Sequence, residues 1–175
     1  MNLIIFDIDE TLFKTNAMIK VVKNETVVKL LTNTEYNSHK LAADETYDFS
    51  EFRKSEKFHK ESVPIYNMIE QVKSSIDSES DVYFVTARDD FDNKELFLET
   101  FKNQGIDTDK IRVERAGKIK DITVGPVKKK LIIRNILKTK HYDSVVFFDD
   151  YWENLKEFYS LKPEFPNTEF KGILV

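Results

Sequence analysis

The chain has 175 residues, 41% of them hydrophobic and 33% charged, and a net charge of -4 at pH 7. That length suits one domain with a single core, and the composition excludes a disordered chain. The absence of cysteine excludes disulfides, thiolate metal sites and a cysteine nucleophile, and no apolar run approaches the roughly 18 residues that a membrane span requires. Because the N-terminus runs straight into the first apolar segment, no secretory signal is expected; the expectation is a cytoplasmic protein with no membrane partner.

Leu3-Ile4-Ile5-Phe6 is short enough for a buried strand and ends abruptly in Asp7 and Asp9, with Thr11 two residues further. Residues 18–31 hold two alternating, β-branched runs around Asn24-Glu25, the pattern of a hairpin. From 34 to 62 the chain is polar but carries Tyr36, Leu41, Tyr47, Phe49, Phe52 and Phe58, which predicts one or two short helices: a small helical insertion or lid. A helix follows from Pro64 to Ile76, with Ile65, Ile69, Val72 and Ile76 on one stripe and Pro64 in its first turn. Val82-Tyr83-Phe84-Val85 is a second buried strand, running into Thr86-Ala87-Arg88-Asp89. A helix from Asp92 to Gln104 stops at Gly105, and Ile111-Arg112-Val113 is a short strand. Gly125-Pro126 opens a helix with Val127 and Leu131 facing inward. Val145-Val146-Phe147-Phe148 is a third buried strand and ends in Asp149-Asp150; a helix from Trp152 to Leu161 and a closing strand from Phe170 to Val175 complete the chain.

Apolar strands separated by helices predict an α/β fold, a Rossmann-like three-layer sandwich around a mainly parallel sheet. Parallel strands bring their C-terminal ends together, so Asp7, Asp9, Thr86, Arg88, Asp149 and Asp150 gather along one edge, where open α/β sheets bind ligands. Converging carboxylates repel unless a cation or a proton sits among them. Arg88 can fork onto a phosphate or pair with Asp89, Asp90 or Asp92. Residues 110–140 hold eleven Lys and Arg against only Glu114 and Asp121, a basic flank that suits an anionic substrate or forms a solvated helix face. His39, His59 and His141 share no metal-ligand spacing.

FDIDETLF, VTAR, a lysine-bearing helix and FFDD, in this order, resemble motifs one to four of the haloacid dehalogenase (HAD) superfamily of phosphatases, and the resemblance runs from Leu3 to Val175. Within that superfamily the chain is most similar to the phosphatase domain of phage-type polynucleotide kinase–phosphatases, through the tract from His141 to Asp150 and the lysine helix before it. The kinase half, with its phosphate-cradling glycine loop, has no counterpart. The resemblance implies one HAD-like domain over 1–175, in which the hairpin is a flap over the site; no large cap is expected, since only about sixty residues separate Thr86 from Asp149.

The same resemblance implies that Asp7 is a nucleophile forming an aspartyl phosphate, and that Asp9 is the general acid and then the general base. The implied cofactor is a magnesium ion (Mg2+), held by Asp7, the backbone carbonyl of Asp9, and Asp149 or Asp150, with Asp150 favoured as the direct ligand. Thr86 would donate to the phosphoryl oxygens, Arg88 would bind substrate, and one of Lys128, Lys129 and Lys130 would offset the negative charge, with Lys128 the best fit by its place near the helix N-terminus. Asn154, one turn beyond Asp150, would brace these groups. Glu10 stands where many relatives have glycine. The partner implied is a phosphorylated small molecule or a nucleic-acid end. The open readings are a nucleotide or polynucleotide 3′-phosphatase, a phosphatase of sugars or other metabolites, a phosphotransferase, and a binding module with a vestigial site.

Overall fold

The computed structural model describes residues 1–175. The first half of the chain forms β1 (Asn2–Phe6), β2 (Phe13–Lys14), β3 (Ile19–Lys23), β4 (Thr26–Leu31), α1 (Asn33–Ser38), β5 (Glu45–Asp48), α2 (Ser55–Glu61), β6 (Val63–Pro64) and α3 (Tyr66–Asp77). The second half forms β7 (Asp81–Thr86), α4 (Lys94–Lys102), β8 (Ile111–Arg115), α5 (Gly125–Leu137), β9 (Ser144–Asp149), α6 (Trp152–Tyr159) and β10 (Glu169–Leu174).

Five strands make one parallel sheet in the order β10-β9-β1-β7-β8. Successive side chains of a strand point to opposite faces, and the apolar runs divide accordingly. Ile4 and Phe6, with Val82, Phe84, Val146 and Phe148, pack against Met68, Ile69 and Val72 of α3 and Phe97 and Phe101 of α4. Leu3 and Ile5, with Tyr83, Val85, Val145 and Phe147, pack against Ile133, Ile136 and Leu137 of α5 and Leu155 and Phe158 of α6. The result is a helix–sheet–helix sandwich with β1 at its centre. Phe6 is fully buried, stacked on Phe148 at 4.8 Å and edge-on to Phe84 at 6.2 Å. A side chain of that size buried completely contributes about 1.5–3 kcal/mol, which anchors the strand that carries Asp7.

The chain builds from β1 outward to β7 and β8, then returns to the other side of β1 for β9 and β10. Its direction therefore reverses between β1 and β9, and the crevice at the carboxyl ends of those two strands is the ligand position of such sheets. Phe6 pairs with Phe148, so Asp7 emerges level with Asp149, and the Asp7 amide donates to the Phe148 carbonyl at 2.9 Å.

A separate antiparallel sheet, β4-β3-β5, stands on the segment between β1 and β7. Asn24 and Glu25 both take positive φ, 49° and 62°, the mirror-image turn that matches strand twist in a two-residue hairpin. Ala17, Ile19, Val21, Leu31 and Phe52 form its small core, with Tyr36 and Tyr47 against them. Part of the expected helical insertion is therefore strand: Glu45–Asp48 pairs along β3, because the hairpin leaves an edge whose backbone groups need partners.

Pro64 lies outside the helix it was expected to start. It pairs with Phe13 in a two-stranded ribbon, and α3 begins at Tyr66 after the cap Ile65. α4 begins later than expected because the Asn93 side chain accepts from the Leu96 amide and sets the cap there. α6 ends at Tyr159, two residues short of the expected Leu161. β8 runs to Arg115, two residues past the expected strand, in register with Thr86 of β7. Between β7 and β9 the chain holds only α4, β8, α5 and short 3-10 turns, with no inserted domain. No helix is long and apolar enough to cross a membrane.

Candidate active site

Asp7, Asp149 and Asp150 each present a carboxylate oxygen, and these oxygens lie within 4.8 Å of one another. Asp7 and Asp149 are buried and Asp150 is half-buried. One cation is built into the cluster. The Lys129 ammonium lies 2.8 Å from Asp7 Oδ1 and 2.8 Å from Asp149 Oδ2.

This lysine is Lys129 rather than Lys128. The buried face of α5 is Lys129, Ile133, Ile136 and Leu137, a spacing of four, seven and eight residues that is one side of a helix. Val127 and Leu131, the expected inward pair, are only half-buried, and the buried face begins two positions further along, at Lys129 and Ile133. Lys128 makes no ion pair with the acids, and Lys130 pairs with Glu157 at 3.0 Å.

Asp149 is saturated. Its Oδ1 accepts from the Tyr151 amide at 2.9 Å and the Asn154 amide at 2.9 Å, while its Oδ2 accepts from Lys129 and again from Asn154 at 3.0 Å. Asn154 thus braces the acid at the strand tip. Asp150 is not tied in this way, and its oxygens remain available. Glu10 takes φ +63°, the left-handed region that favours glycine, and its carboxylate accepts from the Thr15 amide at 3.0 Å.

Asp9 does not join the three clustered acids. Its Oδ2 accepts from Arg88 Nε at 2.9 Å and its Oδ1 from Arg88 Nη2 at 2.6 Å. Arg88 therefore pairs with an acid 79 positions away, and not with Asp89, Asp90 or Asp92 as local spacing suggested. Being 4% exposed and engaged on its forked edge, it is not a free cation awaiting a substrate phosphate. Thr86 is buried at the tip of β7, and its hydroxyl accepts from the Arg88 amide at 3.2 Å, leaving the hydroxyl proton to donate.

Burial lifts the Asp7 carboxyl well above the ordinary range; Lys129 opposes that rise, and Asp149 and Asp150 add to it. Burial, and then the neighbouring Asp149, push Asp150 up to about 6. Burial also works against the Lys129 charge, but Asp149 and Asp7 outweigh it and hold the ammonium above its ordinary value. Three carboxylates against one ammonium leave excess negative charge in a buried place. A hard divalent cation fits that excess and the all-oxygen donor set, and magnesium commonly takes one or two carboxylates while keeping several waters.

A linkage prediction follows. A carboxyl raised in the folded state binds protons that the unfolded state releases, so stability falls as pH rises from the ordinary carboxylate range through about 6. A divalent cation takes the ionised acids, so its stabilising effect grows over the same window. Added magnesium is expected to raise the melting temperature by several degrees near pH 7.5 and by much less near pH 5, about 2–4 °C for each kcal/mol at this chain length. Differential scanning calorimetry at the two pH values checks it; an equal shift at both would contradict the cluster as the binding site.

The basic flank is largely neutralised within the chain. Lys110 pairs with Asp107, Arg115 with Asp90, Lys120 with Asp89, Arg134 with Glu164 and Lys140 with Asp81. Lys118, Lys128 and Lys138 have no acidic partner; Lys118 follows β8 and Lys128 stands in the first turn of α5. The histidines lie elsewhere: His39 bonds Tyr47, His59 bonds Thr100, and His141 stands beside Asp143. No protein-family model matches the chain, and no curated protein matches it.

Proposed function

We propose that this protein is a magnesium-dependent phosphomonoester hydrolase of the HAD type, acting through an aspartyl phosphate on Asp7. The observation that carries the reading is the convergence of Asp7, Asp149 and Asp150 around Lys129 at the carboxyl ends of the two strands flanking the topological switch. Lys129 occupies Asp7 Oδ1 and leaves Oδ2 for attack. Asp7, Asp150 and the Asp9 carbonyl would hold the magnesium ion, with Asp149 holding the lysine instead. The cation would supply charge neutralisation for an anion attacking an anion.

In the first displacement Asp7 Oδ2 attacks phosphorus and the ester P–O bond breaks. The leaving oxygen takes the proton of the Asp9 carboxyl. In the second, water attacks the same phosphorus and gives its proton to Asp9. The acyl phosphate P–O bond breaks, releasing phosphate and regenerating Asp7. Thr86 donates its hydroxyl proton to a phosphoryl oxygen, and Lys129 keeps the acids from repelling the substrate.

The substrate reading is a nucleotide or polynucleotide 3′-phosphate. No domain inserted between β7 and β9 encloses the crevice, which suits a large substrate. The hairpin unit would serve as a flap over the site. Tyr36, within α1, is half-buried among aromatic neighbours, and after burial and Tyr47 the Tyr151 phenol next to Asp150 contributes to raising its pKa. Lys118 and Lys128 offer unpaired charge to a phosphodiester chain. The test is phosphate release from a 3′-phosphorylated oligonucleotide, 3′- and 5′-mononucleotides and sugar phosphates, with magnesium or EDTA. Magnesium-dependent release confined to the oligonucleotide is expected. A preference for sugars or mononucleotides would keep the mechanism and overturn the substrate. Transfer to an alcohol without matching free phosphate would make the protein a phosphotransferase.

A further inference from the structure

Arg88 is held on every side. Its forked edge grips both oxygens of Asp9, and its remaining terminal nitrogen, Nη1, donates to the Phe52 carbonyl at 2.7 Å. Its guanidinium carbon lies 4.7 Å from the centre of the Phe58 ring and 5.2 Å from that of Phe52. Both rings come from the insertion between β5 and β6, a 3-10 turn (Ser50–Arg53) followed by α2. The backbone of the loop is fixed as well. The Arg88 amide donates to Thr86, and the Arg88 carbonyl accepts from the Gly117 amide at 3.3 Å. Gly117 approaches so closely that a Cβ there would sit 2.5 Å from the Ala87 carbonyl and 2.7 Å from the Asp89 backbone, so no other residue fits without moving the loop. The same insertion is tied to the loop a second time, by Arg53 on Asp89 at 2.6 Å and by the Ser55 amide on Asp92 at 2.8 Å.

We infer that Arg88 is a positioning residue: it fixes the Asp9 carboxylate for proton transfer, and the insertion sets that geometry through the Phe52 carbonyl and the Phe52 and Phe58 rings. The inference rests on the proton-transfer role of Asp9 given above. A carboxylate has about four acceptor sites on two oxygens, and a bidentate guanidinium takes two of them. Of the others, one carries the proton that Asp9 donates to the leaving oxygen and later accepts a proton from water, while rotation of the carboxyl group is blocked. Misplacing a reacting group by about 1 Å costs on the order of 100-fold in rate. Arg88 acts on the reaction through Asp9 and touches no substrate.

The test uses the whole chain with magnesium and two esters: 4-nitrophenyl phosphate, whose leaving group departs without a proton, and the 3′-phosphorylated oligonucleotide, an alkyl ester whose leaving group needs one. Arg88→Gln is expected to lower kcat on the alkyl ester by roughly 100-fold, to lower it at least about tenfold less on the aryl ester, and to leave KM within about twofold for both. Arg88→Lys should lie between, since it keeps the charge and loses the fork. An equal loss on both esters would make Arg88 merely structural, and a raised KM with kcat retained would make it a substrate ligand; either overturns the inference. Should the Arg88 variants fail to fold by circular dichroism, Phe52→Leu keeps the carbonyl and removes one ring. Its alkyl-to-aryl rate ratio should fall in the same direction, and an unchanged ratio overturns the role of the insertion. If the unsubstituted protein releases phosphate from neither ester, the phosphatase reading fails and carries this inference with it.

Discussion

Lys129→Met is expected to destabilise the protein by about 3–5 kcal/mol, the cost of leaving a buried charge without its partner. The Lys129 side chain is 4% exposed and its ammonium stands 2.8 Å from two buried carboxylates, so its removal leaves Asp7, Asp149 and Asp150 facing one another without compensation. The acids should then take up protons, and the deficit should shrink as pH is lowered. Lys128→Met at the neighbouring position, which makes no ion pair, should cost no more than about 0.5 kcal/mol, as substitutions away from such features do. Urea denaturation of the two variants beside the parent protein measures both. Comparable losses for the two would contradict the assignment of Lys129 as the lysine of the site. Magnesium should restore part of the stability lost in Lys129→Met, because a cation replaces the missing positive charge.

Asp7→Asn is expected to behave in the opposite way towards stability while losing turnover. The proposed nucleophile is gone, and an amide does not replace it. Yet the variant carries one fewer negative charge in a cluster where burial already lifts the Asp7 carboxyl far above its ordinary range. At pH 7.5 the folded state should gain about 1 kcal/mol, the gain typical when a strained functional site is relieved. The amide oxygen can still accept from Lys129, so the fold should be unchanged. Magnesium should bind more weakly, with one ionised ligand removed. Turnover above about 1% of the parent's would remove Asp7 as the nucleophile, since losing a catalytic group of this kind costs several orders of magnitude.

The sheet was legible because its three central strands are buried on both faces and therefore read as unbroken apolar runs, each closed by an acid or a threonine. The carboxyl-edge position of Asp7, Thr86 and Asp149 followed from the parallel geometry alone. Three features were not legible, each for a different reason. Three consecutive lysines made the lysine of the site a question of helical phase, whereas Lys128 was favoured by its nearness to the helix N-terminus and by the resemblance. Ile133, Ile136 and Leu137, deeper in the helix, would have pointed to Lys129. The Asp9–Arg88 pair spans 79 positions and depends on how two loops meet, whereas the acids beside Arg88 in sequence turn to Arg53, Lys120 and Arg115 instead. Glu45-Thr46-Tyr47-Asp48 carries little apolar signal and becomes a strand because β3 offers it an edge.

The most direct test of the central claim is to trap the phosphorylated enzyme. Borohydride reduces an acyl phosphate to an alcohol, so a phosphorylated aspartate becomes homoserine, while a free carboxylate is untouched. The protein quenched during turnover with magnesium and substrate, reduced and mapped by peptide mass spectrometry, should carry homoserine at position 7 and nowhere else. Phosphate release with no reduction at position 7, or with reduction at Asp9, Asp149 or Asp150, would contradict the account.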